Sequence, residues 1–225
     1  MPSPAAEPRL PRTAEQATLD DLDHDVHLQD AEIDGGVAVD LAVEDLRLTG
    51  CRLAGVRLPG ATLDGPEWAD VVLEDCDLSG VTLKEAKLRR VTFRRCRLSA
   101  LVAAELVASD LSLVDCKADD AWLRMARIER AEVNRCDLTG SDWYRAQVSH
   151  ARMVGCRLAG AQFSQAKLND VALHGSSLAG VLGGDGLRNV VVGPEQVLDL
   201  ALVVLPSLGV RIEDPPDDSE GGDER

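Results

Sequence analysis

An apolar residue recurs at every fifth position through most of this chain of 225 residues. The series begins at Leu28 and ends at Leu178, and all 31 of its positions are apolar. A second series of smaller residues, mostly Ala, Val and Cys, lies two positions before the first. The positions that depart from the second series are Gly36, Pro66, Ser141 and Ser176. A period of five is therefore the strongest constraint on the fold.

This period excludes helices as the main structure. Residues five apart on an α-helix are rotated by about 140°, so they do not share a face. A continuous strand has a period of two, which places residues five apart on opposite faces. Each repeat must therefore be a short strand followed by a bend. Glycine, which suits a bend, occupies that position in many repeats, as at Gly50, Gly80 and Gly140.

The cysteines predict how many repeats close one coil. Cys76, Cys96, Cys116, Cys136 and Cys156 are spaced by twenty residues. Four repeats therefore make one turn of a four-sided rod, in which coils stack about 4.8 Å apart. Each Cys takes an inward position that Ala or Val fills elsewhere, so the ladder is interpreted as core packing of reduced thiols rather than a metal or redox site.

The repeats resemble those of the pentapeptide-repeat family. Three examples read Cys-Arg-Leu-Ala-Gly at 51–55, Cys-Asp-Leu-Ser-Gly at 76–80 and Cys-Asp-Leu-Thr-Gly at 136–140. The resemblance implies an all-β fold, a right-handed quadrilateral β-helix with a short C-terminal capping α-helix. The layout is similar to small actinobacterial members and distantly to the gyrase-interacting Qnr and MfpA type.

The ends of the chain differ from the repeats. Residues 1–25 are acidic and Pro-rich and are predicted to be disordered, and the β-helix is predicted over residues 26–182. Residues 183–212 are predicted to cap the rod, with a helix at about 194–205 that begins at Pro194. Its apolar residues make it a candidate cap or homodimer interface: Val197, Leu198, Leu200, Ala201, Val204 and Leu205. Residues 213–225 are predicted to be a disordered acidic tail.

The formal charge of −15 is concentrated at the two ends. Residues 1–25 carry six acids against two arginines, and residues 183–225 carry ten against three. The rod carries 23 acids against 19 Lys and Arg, a net charge of only −4. No apolar run approaches a membrane span and no secretory signal is evident, so the sequence predicts a cytoplasmic protein without membrane contact.

No motif predicts catalysis, a cofactor or a metal. His24 and His27 stand among aspartates, but a solvated acidic segment explains them better than a metal site. The basic stretch 84–97 looks like a nucleic-acid patch, yet its residues fall on successive repeats and face different sides of the rod, so direct nucleic-acid binding is not expected. Stacking instead predicts a mixed charge column: Arg57, Asp77, Arg97, Lys117, Asp137 and Arg157.

Two surfaces are candidate binding sites for another protein. Trp122 is an outward aromatic residue that shares a side with Val102, Arg124 and Tyr144, a composition typical of binding hot spots. The second candidate is an acidic patch in the first coil: Asp30, Glu32, Asp34, Asp40, Glu44 and Asp45.

The first functional hypothesis is a non-catalytic protein-interaction scaffold whose partner the sequence does not name. The alternative comes from the family resemblance, in which Qnr and MfpA proteins imitate duplex DNA, bind DNA gyrase and protect it from quinolones. Mimicry needs a column of negative charge, and the near-neutral rod argues against it. Binding to gyrase that weakens strongly with salt indicates mimicry, whereas salt-tolerant binding that depends on Trp122 or Tyr144 indicates a scaffold.

Overall fold

The computed structural model describes residues 4–211, which form a four-sided β-helix of about nine turns with one short helix at its C-terminal end. The strands are β1 Glu15–Ala17, β2 His27–Gln29, β3 Ala31–Asp34, β4 Ala42–Glu44, β5 Arg47–Thr49, β6 Arg52–Ala54, β7 Thr62–Asp64, β8 Glu67–Glu74, β9 Thr82–Lys84, β10 Lys87–Arg94, β11 Val107–Val114, β12 Arg127–Asn134, β13 Gln147–Val154, β14 Lys167–Ala172 and β15 Val190–Val191.

Adjacent coils pair in parallel with a register of twenty residues through the body of the rod. In β8 and β10, Leu88 lies opposite Trp68 and Phe93 lies opposite Leu73. The predicted coil of four five-residue repeats is therefore confirmed. We name each side after its first inward residue: the Leu28, Ile33, Ala38 and Val43 sides, each of which repeats every twenty residues.

The corners between the sides use left-handed backbone. Asp70 has a φ of 58° and Gly80 a φ of 67°, and the same conformation recurs at most fifth positions of the repeats. Such a residue ends one side and turns the chain onto the next, which explains the frequent glycine at this position. Each side is a short strand, along which successive side chains point alternately inward and outward. The two apolar series, which are two residues apart, therefore both point inward and are mostly buried.

The N-terminal segment departs from the sequence prediction. Residues 1–25 are predicted to be disordered, but residues 4–25 are placed against the rod. The backbone N–H groups of Ala6 and Arg9 donate to Asp110 and Asp70, and β1 pairs with β3. A 3₁₀ turn at Leu19–Asp21 follows. Acidic and Pro-rich composition suggested disorder, but backbone hydrogen bonds and strand pairing do not depend on such composition.

The C-terminal end is closed by two 3₁₀ turns, at Gly184–Leu187 and Pro194–Gln196, and by helix α1, Val197–Ser207. The first three residues of the predicted helix thus form a 3₁₀ turn. The helix ends at Ser207, two residues later than predicted, because Pro206 lies in its last turn and does not end it. Leu200 and Val203 pack against the rod core. No helix within residues 4–211 is long and apolar enough to cross a membrane. The predicted tail at 213–225 lies outside the described residues.

Candidate functional site

The aromatic patch lies on the Val43 side, near the middle of the rod. Val102, Trp122 and Asp142 occupy one outward column through successive parallel bridges. The Trp122 side chain is 53% exposed. The structure therefore brings the predicted residues Val102, Trp122, Arg124 and Tyr144 onto one side, as the twenty-residue register requires.

Cationic groups surround the Tyr144 ring. The guanidinium carbon of Arg124 lies 5.0 Å from the ring centroid, and that of Arg145 lies 5.1 Å from it. Nε of Arg124 also lies 3.2 Å from a carboxylate oxygen of Asp142. Sequence reasoning missed Arg145, although its position next to Tyr144 at a corner was available as a signal. We call Val102, Trp122, Arg124, Tyr144 and Arg145 the aromatic patch.

The predicted acidic patch is not one surface. Glu32 and Asp34 lie on the Ile33 side and Glu44 on the Val43 side, while Asp30, Asp40 and Asp45 occupy three different corners. Glu32 forms an ion pair with Arg52, which also pairs with Glu74 at 3.0 Å. These acids encircle the N-terminal end of the rod, so they do not form a common binding face.

An acidic column does occur at the corner between the Val43 and Leu28 sides. It consists of Asp25, Asp45, Glu85 and Glu105, interrupted by Gly65. All four acids are exposed, and none lies within ion-pair distance of a cation in the described part of the chain. Because these residues are far apart in sequence, only the twenty-residue register reveals the column.

Five of the seven cations in the basic stretch 84–97 form ion pairs with acids of the preceding coil. Lys84 pairs with Asp64 at 3.3 Å, and Lys87 pairs with Glu67 at 2.6 Å. Arg95 pairs with Asp75, also twenty residues earlier. The hydrogen bonds from Arg95 hold the pKa of Asp75 below its ordinary value. Charge pairing along the stacked coils accounts for these three cations.

The predicted mixed charge column is confirmed. Parallel bridges connect its members in order: Arg57, Asp77, Arg97, Lys117, Asp137 and Arg157. Nη2 of Arg157 lies 2.6 Å from Asp137, while Nη1 of Arg97 lies 3.9 Å from Asp77. Exposed pairs of this kind contribute little individually to stability.

The capping helix has two different apolar faces. The carbonyl oxygen of Val203, on the inner face, lies so close to Gly184 that a Cβ added at Gly184 would be 2.4 Å from it. Among the candidate cap residues, Leu200, Ala201, Val204 and Leu205 are partly buried. Val197 and Leu198 are 58% and 71% exposed. The helix thus covers the end of the rod and leaves these two side chains facing outward.

The cysteines are free and buried. The thiol of Cys76 donates to the carbonyl of Leu53 at 3.4 Å, and the thiol of Cys96 repeats this contact with Leu73. Burial raises the pKa of the Cys156 thiol. Within residues 4–211, no group of three or more His, Cys, Asp or Glu residues is arranged to hold a metal ion.

Comparison with known proteins identifies the repeats. The sequence model of the family described as "Pentapeptide repeats" matches in eight copies, over residues 69–100, 131–170 and 144–180. No curated protein matches the sequence.

Solved structures with similar folds include HetL, a pentapeptide repeat protein involved in heterocyst differentiation regulation from the cyanobacterium Nostoc sp. strain PCC 7120. It is 18% identical, with a TM-score of 0.45, and the match covers 75% of this chain and 87% of HetL. Full-length QnrB1, a plasmid-mediated fluoroquinolone resistance protein, is also 18% identical. Its TM-score is 0.48, and the match covers 88% of this chain and 100% of QnrB1. Because the matched repeats form the four-sided coils described above, the chain is a pentapeptide-repeat protein.

Proposed function

We propose that this chain is a non-catalytic scaffold that binds one partner protein through the Val43 side of the rod. The observation that carries the proposal is the aromatic patch, in which exposed Trp122 shares one side of the rod with Tyr144 and with the two arginines that flank the Tyr144 ring. Trp, Tyr and Arg are the residue types that most often dominate the energy of protein interfaces.

The backbone beneath the patch suits a preformed binding surface. The N–H of Trp122 donates to Leu101 at 2.8 Å, and the N–H of Leu123 donates to Asp142 at 2.8 Å. Bonds to the coils before and after fix the strand that carries Trp122. A rigid site loses little conformational entropy on binding, which favours affinity.

The charges of the patch are partly balanced. Arg124 is paired with Asp142, so long-range attraction is not its main contribution. We therefore expect binding to depend on burial of the Trp122 and Tyr144 rings and to tolerate salt.

The test is quantitative capture of proteins from cells that produce this chain. We expect one partner that binds the purified protein. Its affinity should fall at least about tenfold in Trp122→Ala and in Tyr144→Ala. Leu182→Ala is the matched control because Leu182 is 55% exposed in the same column, three coils away. An equal loss of binding in all three variants, or no loss in any of them, would contradict the proposal.

A second candidate function is DNA mimicry toward DNA gyrase, which the family resemblance implies. The specific observation that favours it is the acidic column of Asp25, Asp45, Glu85 and Glu105. Stacking places neighbouring acids of this column about 4.8 Å apart, or about 9.6 Å apart across Gly65. The column ends at Glu105, because the next two residues at this corner are Met125 and Arg145.

Gyrase supercoiling separates the two candidates. Mimicry predicts inhibition that weakens as salt rises and that is lost in the double variant Glu85→Gln/Glu105→Gln, while Trp122→Ala has no effect. No inhibition at large excess of the protein eliminates mimicry. That result leaves the scaffold proposal to the capture experiment.

A further inference from the structure

A row of exposed cations follows one outward column of the Leu28 side at every second coil. We call this set the basic row: Arg47, Lys87, Arg127 and Lys167. At about 4.8 Å per coil, successive cations are about 9.6 Å apart, and the whole row spans about 29 Å. The four cations line a groove of about 750 Å³ that extends along this side of the rod.

Most of the basic row is open to a ligand. Arg47, Arg127 and Lys167 form no ion pair with another residue of the described chain. Lys87 pairs with Glu67, but its side chain is 66% exposed, and an exposed pair of this kind contributes little to stability. The residues that line the groove begin at His27, so the segment 4–26 leaves it uncovered. A ligand therefore meets three unpaired cations and one that exchanges its partner at little cost.

The spacing of the row selects the shape of the ligand. Three residues of polyproline II chain rise about 9.3 Å, close to the distance between successive cations. Side chains on one face of a β-strand are only two residues apart, or about 6.6 Å, and do not match it. An acidic residue at every third position of a polyproline II peptide therefore lies beside a cation of the row.

The N-terminal segment already fits the rod with this pitch. The N–H of Ala6 donates to Asp110 at 3.0 Å, and the N–H of Arg9 donates to Asp70 at 2.9 Å, two coils away. Three residues of this segment thus advance by two coils. The partly buried residues of the segment are also three apart: Ala5, Pro8 and Pro11. A chain of polyproline type thus runs along the corner next to the Leu28 side, which shows that its pitch matches the stacking of the coils.

The second outward column of the Leu28 side can satisfy the backbone of such a ligand. A polyproline II chain has no internal hydrogen bonds, so its peptide groups need partners. Hydroxyl and amide side chains line the groove in this column: Thr49, Ser109, Ser149 and Asn169. The groove thus combines one column of cations for carboxylates with one column of neutral polar groups for peptide bonds.

The same features disfavour a nucleic acid. Each strand of duplex DNA carries one phosphate per about 3.4 Å, whereas the row offers one cation per about 9.6 Å. The coils between the cations place Glu67, Val107 and Gln147 in the same column, and none of these side chains is a cation. Single strands bind by stacking on exposed aromatic rings. Among the described residues of the groove only Trp68 is aromatic, and it is 3% exposed.

We propose that the basic row binds an extended acidic peptide of a partner protein, which carries Asp or Glu at every third residue in polyproline II conformation. Four successive acids of this peptide pair with the four cations of the row, and the two residues between acids face away from the cations. The site lies on the Leu28 side and the aromatic patch on the Val43 side, so this proposal does not depend on the proposed function.

Two synthetic peptides of identical composition test the register. The first consists of three Glu-Pro-Pro triplets followed by Glu, and the second carries the same four glutamates together at one end. Fluorescence anisotropy of labelled peptide measures the affinity of the full-length protein. We expect the first peptide to bind at least about fivefold more tightly, because the clustered glutamates reach only part of the row. Equal affinities, or no binding of either peptide, would overturn the proposal.

Matched variants of the protein test the site. Arg127→Gln and Lys167→Gln should each weaken binding of the first peptide by about two- to fivefold, and the double variant should weaken it further. The control is the double variant Arg57→Gln/Arg94→Gln, which removes the same charge from exposed positions on other sides of the rod. An equal loss in the two double variants would show non-specific attraction to the whole rod and overturn the site.

Carbodiimide cross-linking gives the position of the bound peptide because it joins lysine amines to neighbouring carboxylates. The chain has four lysines: Lys84, Lys87, Lys117 and Lys167. We expect mass spectrometry to find the first peptide linked to Lys87 and Lys167. Links that favour Lys84 or Lys117 would overturn the proposal.

Single-stranded DNA of the same net charge distinguishes the other class of anionic ligand. We expect it to bind more weakly than the first peptide and to be equally affected by the two double variants. Tighter binding of the DNA, with a loss confined to Arg127→Gln/Lys167→Gln, would show that the basic row is a nucleic-acid site and overturn the proposal.

Discussion

The backbone N–H of Arg9 donates to a carboxylate oxygen of Asp70, 2.9 Å away. The same relation joins Ala6 to Asp110 two coils further along the rod. Both carboxylates are only 10% exposed, and each also accepts hydrogen bonds from an arginine twenty residues later, Arg90 or Arg130. The N-terminal segment is thus attached to the rod through carboxylates, which accept stronger hydrogen bonds while they are ionised.

This attachment predicts loss of stability in acid. Hydrogen bonds from Arg90 and Arg130 hold the pKa values of Asp70 and Asp110 below their ordinary value. A lowered pKa in the folded state stabilises the protein above the unfolded pKa, near 4, and this contribution is lost as pH falls through the folded values. We expect the free energy of unfolding, measured by denaturant titration, to decline below about pH 4.

The control is the double variant Asp70→Asn/Asp110→Asn, because other ionised carboxylates also contribute to acid sensitivity. We expect it to be less stable than the parent at neutral pH and less sensitive to pH below about 4. Parallel pH profiles for the two proteins would show that these carboxylates do not couple protonation to stability.

The attachment also shows which parts of the fold the sequence can predict. The five-residue period and the Cys spacing depend on side-chain type, so they predicted the coil, its register and the common side of Trp122 and Tyr144. The contacts of Ala6 and Arg9 use backbone N–H groups, which every residue except proline carries. Neither composition nor periodicity identifies such contacts. The acidic column differs, because the twenty-residue register that predicts the mixed charge column also brings Asp25, Asp45, Glu85 and Glu105 together, so it could have been predicted from the sequence.

The two buried tryptophans predict different responses to substitution. Nε1 of Trp143 donates to Ser141 at 2.8 Å, whereas Nε1 of Trp68 has no partner among the described residues. Trp68→Phe removes a buried unpaired donor, while Trp143→Phe removes a satisfied one. Both replacements lose similar apolar area. We expect Trp143→Phe to reduce the free energy of unfolding by about 1 kcal/mol more than Trp68→Phe, measured by denaturant titration. Equal losses would contradict this assignment.

A small cavity in the middle of the rod predicts a stabilising substitution. Its volume is about 60 Å³, and Ala103 and Ala118 contribute to its apolar wall. Ala118→Val adds the equivalent of two methylene groups and should raise the free energy of unfolding by about 1 kcal/mol. Ala146 is fully buried and does not line the cavity. The matched change Ala146→Val should therefore destabilise the protein by about 1–3 kcal/mol through overpacking. Destabilisation by both variants would show that the cavity does not accept a side chain.

The corner backbone predicts opposite effects of two substitutions in one stacked column. Ala100 has a φ of 52°, a conformation that Cβ makes unfavourable, so Ala100→Gly should stabilise the protein by about 0.5–1 kcal/mol. Gly80, one coil earlier, has a φ of 67°, and the nearest atom to an added Cβ is 3.9 Å away. Gly80→Ala should therefore destabilise by a similar amount through backbone strain rather than collision. Ala104, which has no positive φ, is the control: Ala104→Gly should destabilise. Thermal and denaturant unfolding measure all three, and a loss of stability in Ala100→Gly would contradict the role of corner strain.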